Sequence, residues 1–294
     1  MAGTCTPYLL LAHHRSGSNF VTDLLQAHPQ VECLNEPFSM HAPFFRTHDL
    51  QPWSAAEFDA QQLHPSLPAH GEIHDYLQAL RRYLTGASPS RVIGFKETGL
   101  FGQLDWLRAY LPGLKLVFLW RDPRAIVSSV MRSELMGFWR YHELVPPAFA
   151  RLFPHRASLA FTASQTADVA TLAAMSVVVR YELARRALGS FDHLVLGLDA
   201  VARAPAHALD AMARLLGVEP HPSPVQFARA RWATNRGGTF SSFRDPAGVS
   251  LRWQAHLQRA EVDAIERVLH AVNWCEPSRW PGESNAYQVD TALH

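Results

Sequence analysis

Apolar residues gather in five short runs, at 8–12, 31–34, 92–95, 114–120 and 193–198. Each is short enough for a strand buried on both faces, and Leu, Val and Phe dominate them. Between the runs the pattern changes to apolar positions three and four apart, as in Val21, Leu24 and Leu25. That spacing places one apolar stripe on a helix. Helices are predicted at 19–27, 74–84, 104–110, 124–133, 166–188, 205–216 and 259–272. The helix at 205–216 opens on Pro205 and is followed by Gly217, residues suited to a helix start and stop. The segment 166–188 is long and apolar, with Val177, Val178 and Val179 inside it, and reads as a core helix with room for a break.

Strands alternating with helices predict βαβ units around a central, mostly parallel sheet. Right-handed crossovers then bring the strand C-termini and their loops to one edge, where such sheets bind ligands. The expected fold class is α/β, a three-layer sandwich with helical insertions. Two stretches lack either period. Residues 37–72 are rich in Pro, His and aromatics, and 136–165 contain Pro146 and Pro147. Both are read as irregular insertions covering an acceptor pocket at that edge. Residues 1–280 are expected to form a single domain, and the polar tail 281–294 is expected to fray.

Composition narrows the partners. A chain of 294 residues suits one large α/β domain, and 48% hydrophobic residues supply its core. The net charge is only +1, so no nucleic-acid partner is expected and any anion site must be local. Cys5, Cys33 and Cys275 have no metal-ligand spacing and read as reduced thiols. No apolar run is long enough to span a membrane, so the expectation is a cytoplasmic enzyme without a transmembrane segment. Homo-oligomerisation stays open. Among the histidines, His70 and His74 are interrupted by Gly71, and Pro146 stands where a zinc-protease motif begun at His142-Glu143 needs its second His. No metal is expected.

Two segments carry chemistry. Residues 11–20 read Leu-Ala-His-His-Arg-Ser-Gly-Ser-Asn-Phe, a strand end, a tight turn and a helix start. Unpaired N–H groups and the helix dipole make such a turn an anion cradle. It resembles a P-loop, but the Lys-Ser/Thr ending is absent, and Arg15 supplies the positive charge. Residues 116–133 form a second strand, turn and helix, Leu-Val-Phe-Leu-Trp-Arg-Asp-Pro-Arg and onward. Arg121 and Ser129 can converge there on one anion. The pair of segments describes a ligand with two separate anionic groups.

These two segments together resemble the sulfotransferases that use 3′-phosphoadenosine 5′-phosphosulfate (PAPS), in their carbohydrate and bacterial glycolipid branch. The resemblance implies a P-loop-containing fold, with Arg15, Ser16, Gly17, Ser18 and Asn19 on the 5′-phosphosulfate and Arg121 and Ser129 on the 3′-phosphate. Ala27-His28-Pro29 and Asn35-Glu36-Pro37-Phe38 resemble the family's segment after the first helix, which makes Glu36 the candidate base. Lys96 resembles the family lysine beside the transferring sulfonate. The family's His two positions later is replaced by Thr98, which favours Glu36 as base, with Glu97 second. Arg236 and Gly237 resemble a late loop reaching the 3′-phosphate. Gly197 stands where the family places a Tyr beside adenine. The implied activity is sulfonate transfer from PAPS to a hydroxyl of a carbohydrate, glycolipid or natural-product acceptor. PAP is the product and no metal is required. The alternatives are a P-loop kinase-like transferase and a nonenzymatic nucleotide-binding module.

Overall fold

The structure is a computed structural model that describes residues 6–39, 41–42, 71–86, 91–133, 141–234 and 251–280. Five strands, β1 (Tyr8–Ala12), β2 (Val31–Asn35), β3 (Val92–Glu97), β4 (Lys115–Trp120) and β5 (His193–Gly197), fall on the five apolar runs. They form one sheet in the order β2-β3-β1-β4-β5. Every pairing is parallel. The helices are α1 (Ser18–Gln26), α2 (Glu72–Thr85), α3 (Leu104–Tyr110), α4 (Pro123–Met131), α5 (Tyr141–Leu152) and α6 (Ala157–Thr166). They continue as α7 (Val169–Leu188), α8 (Leu198–Arg203), α9 (Pro205–Leu216), α10 (Ser223–Thr234), α11 (Arg252–His256) and α12 (Arg259–Ala271).

β1 is buried along its whole length, and its side chains alternate between two apolar layers. Leu9 and Leu11 join Phe95, Phe118 and the apolar residues of α3, α4, α5, α7 and α12. Tyr8 and Leu10 join Val117, Leu119 and those of α1 and α9. Helices thus cover both faces, as a parallel sheet requires. The chain leaves β1 for the edge strand β2, returns to β3, then crosses to β4 on the other flank of β1. This reversal opens a crevice at the C-terminal ends of β3, β1 and β4. The register brings the strand ends level there: Leu11 lies beside Glu97, Ala12 beside Leu119, Asn35 beside Lys96 and Trp120 beside Gly197.

Two expectations change. The helix expected over 166–188, with room for a break, runs unbroken as α7 from Val169 to Leu188; its start is set by Ala167, whose φ of 49° ends α6, and by Asp168, which caps α7 by accepting from the amide of Ala170. Of the stretch 136–165, read as irregular, the described residues 141–165 are mostly helical. Pro146 and Pro147 lie inside α5, where each removes a backbone donor. Val145, Ala148 and Phe149 nevertheless bury that helix against the core beside α7. Packing overrides propensity at this point.

Candidate functional site

The β1–α1 turn is shaped by two left-handed residues, Arg15 (φ 67°) and Gly17 (φ 86°). Gly17 needs its missing side chain twice over. Its φ disfavours any other residue, and a Cβ there would lie 2.8 Å from both terminal methyls of Leu198. The amide of Ser16 donates to the carbonyl of His13 (3.1 Å), and that of Phe20 to Gly17 (3.0 Å). Ser18 opens α1, so the amides at its N-terminus face the crevice edge. Ser16 is fully buried, and its hydroxyl has no hydrogen-bond partner in the structure. A buried donor of this kind costs stability unless a ligand takes it up.

The second segment meets the first directly. Asp122 caps α4 by accepting from the amide of Arg124 (2.7 Å), and Pro123 occupies the first helical position. This start orients α4 so that Ser129 reaches the loop. Arg15 Nε donates to Ser129 Oγ (2.9 Å), and Arg121 Nη1 donates to the Arg15 carbonyl (2.9 Å). Arg15 therefore links the two segments expected to hold the two anionic groups. Burial lowers the pKa of Arg121 from its ordinary value, while Asp199 opposes the change; a guanidinium stays charged across the neutral range.

The third cluster follows from the β2–β3 pairing. Lys96, expected at a strand end, is buried there. Its Nζ donates to Glu36 Oε1 (2.8 Å) and to Asn19 Oδ1 (3.1 Å). Thr98 Oγ1 donates to the same Glu36 oxygen (2.9 Å). Glu36 has a φ of 46°, and its amide donates to the Lys96 carbonyl (2.8 Å). A carboxylate, an ammonium and the β1–α1 turn thus share one corner of the crevice. Glu97 stands apart. Fully buried, it accepts from the amide of Phe38 (2.6 Å) and from Ser39 Oγ (2.5 Å). Burial, and then the nearby Glu36 charge, push its pKa up to about 8.

Sequence reasoning missed the residues behind the loops. Arg180 of α7 is 1% exposed. Its Nη1 lies 3.2 Å from His13 Nε2 and also donates to Ser176 Oγ. His13 Nδ1 lies 2.6 Å from the His14 carbonyl. This arrangement assigns the His13 proton to Nδ1 and leaves Nε2 to accept from Arg180. Burial, followed by the charge of Arg180, lowers the His13 pKa well below its usual value. The next residue of α7, Tyr181, accepts from the Arg121 amide (3.0 Å) and donates to the Arg121 carbonyl (3.1 Å). An arginine set directly after the apolar run Val177–Val179 was the available signal.

Arg236 and Gly237 lie outside the described residues. Gly197 packs under Trp120, and a Cβ at 197 would approach the indole to 3.2 Å. Among the described residues, no group of three or more His, Cys, Asp or Glu is placed to hold a metal ion. No helix among them is long and apolar enough to cross a membrane.

A family profile described as "Sulfotransferase family" matches residues 7–219. No curated protein matches the chain. Solved structures do. The sulfotransferase domain of the olefin synthase from Synechococcus PCC 7002 aligns with a TM-score of 0.51 at 17% identity, covering 92% of this chain and 95% of that one. The sulfotransferase domain from the curacin biosynthetic pathway aligns with a TM-score of 0.55 at 14% identity, covering 94% and 99%.

Proposed function

The chain belongs to the sulfotransferase family, and from that premise we propose that it moves a sulfonate from PAPS to a hydroxyl of a carbohydrate, glycolipid or natural-product acceptor. One observation carries the assignment: Lys96 bonds both Glu36 and Asn19, and so joins a carboxylate to the anion loop. The donor fits the residues present. The turn at 15–19 offers amides and the unused Ser16 hydroxyl to a 5′-phosphosulfate. Arg121 and Ser129 suit the 3′-phosphate. Where Gly197 lacks an aromatic side chain, the indole of Trp120 fills the space, and its buried Nε1 has no hydrogen-bond partner in the structure. It is the candidate neighbour for adenine. Arg236 and Gly237 are retained as further 3′-phosphate contacts. The acceptor is assigned to the space beside Glu36; of the stretches 37–72 and 136–165 expected to cover it, residues 40, 43–70 and 136–140 lie outside the described residues.

In the transfer, the acceptor oxygen attacks sulfur in line and forms the new O–S bond. The bond from sulfur to the bridging phosphate oxygen breaks, and its electron pair stays on the 5′-phosphate. Arg15 and the loop amides meet that growing charge. Lys96 lies where it can hold a sulfonate oxygen, and Glu36 takes the acceptor proton. Positioning and charge stabilisation carry the reaction, as in phosphoryl transfer.

Calorimetry without metal tests the donor. PAP should bind and ATP should not; the reverse result would overturn the assignment. Glu36→Gln should lower kcat by about 10²- to 10⁴-fold, the range of general base catalysis, with PAP affinity little changed. Undiminished turnover in that variant removes Glu36 from the mechanism.

A further inference from the structure

Glu36 sits in a backbone conformation that glutamate rarely adopts. Something must hold it there. Its amide is tied to the Lys96 carbonyl, and its own carbonyl accepts from the amides of Ser39 (3.3 Å) and His41 (3.0 Å). The following turn is fixed from below. Phe38 is fully buried, and Tyr76 donates its hydroxyl to the Pro37 carbonyl (2.7 Å). The buried contribution comes from Glu97, whose two oxygens engage the Phe38 amide and the Ser39 hydroxyl. Lys96 and Glu97 are successive residues of β3, so they point to opposite faces of the sheet. Lys96 touches the Glu36 side chain, while Glu97 grips the chain just after Glu36.

We propose that Glu97 is a positioning residue that aims Glu36. Its buried carboxyl holds the turn 36–39, so that the Glu36 carboxylate meets Lys96 and Thr98. This inference rests on the reading of Glu36 as the base. Glu97 has no exposed surface and both its oxygens are engaged, so it does not itself meet an acceptor.

Four variants test this: Glu97→Leu, Glu97→Gln, Glu36→Gln and the double Glu36→Gln/Glu97→Leu, each assayed for kcat and for PAP affinity. Glu97→Leu should lower kcat by about 10- to 100-fold, the cost of a small misplacement, with PAP affinity within a few-fold. Glu97→Gln should restore most of that loss, because its amide can accept from Phe38 and donate to Ser39. In the Glu36→Gln background, Glu97→Leu should cost nothing further. If Glu97→Leu does not fold, Ser39→Ala removes one partner without emptying the core. Its loss of kcat should likewise vanish in the Glu36→Gln background. A wild-type kcat in Glu97→Leu, or in Ser39→Ala where it stands in, overturns the inference alone. So does additive loss in the double variant, or a Glu97→Gln as slow as Glu36→Gln. Full turnover in Glu36→Gln overturns the base reading and this inference with it.

Discussion

At Gly17 a backbone angle and a neighbour act together. Alanine there must accept a φ of 86° and also push against Leu198. The left-handed conformation alone costs about 1–2 kcal/mol, so Gly17→Ala should lower the melting temperature and weaken PAP binding by calorimetry. Leu198→Ala in that background should recover only part of the binding, since it relieves the contact and leaves the φ. Glu97 makes a second prediction at this scale. Its folded pKa of about 8 lies above the ordinary 4.5. Between those values the native state keeps a proton that the unfolded chain has lost, so this residue's contribution to stability falls as pH rises. His13 and His14 work the other way. Burial lowers their folded pKa values below 6.5, so their contribution is lost as pH falls through that value. Subtracting the urea stability profile of Glu97→Gln from that of the wild type isolates the carboxyl. The difference should decline towards pH 8, and a flat difference rejects the assignment. Glu36 and Lys96 were legible in the sequence because both sit at strand ends, where register alone brings them to the crevice. The part played by Glu97 was not, because it depends on a turn that folds over the end of a neighbouring strand.

Among the elements, α7 does most to fix the site. Ser176 and Arg180 brace the end of β1 through His13, and one residue later Tyr181 braces Arg121. One helix therefore sets the spacing of both loops. Tyr181→Phe removes the hydroxyl that serves both backbone groups of Arg121. Each lost hydrogen bond is worth about 1 kcal/mol, so urea denaturation should show a loss of about 1–2 kcal/mol, with weaker PAP binding by calorimetry. Unchanged stability would mean that the strand end holds Arg121 without α7. Element boundaries were read well where propensity and packing agree, as in α3 and α9. They were misread at α5, where Pro146 and Pro147 hid a helical apolar face, and at α6, which lies in the stretch read as irregular and ends at the left-handed Ala167.

Across the whole molecule, distant parts of the chain close on one edge. The C-terminal segment returns to α4, where Arg124 Nε bonds Glu266 (2.6 Å) and its guanidinium stacks over Trp253 at 5.7 Å. A ligand bridging β1, β4 and α4 should therefore stabilise the fold as a unit. At 100 times its dissociation constant, PAP should add about 2.7 kcal/mol to the stability, read as one cooperative shift of the melting curve. ATP at the same concentration should leave the curve in place. Local information was enough for the five buried strands, the glycine turn with its arginine, and the residues placed at strand ends, because run length, glycine and charge act over a few neighbours. The meeting of Arg15 with Ser129, the bracing by α7 and the grip of Glu97 on the Glu36 turn join residues from about 60 to more than 160 positions apart. Such contacts depend on strand order and register, which are settled only when the chain reverses around β1 and the layers pack.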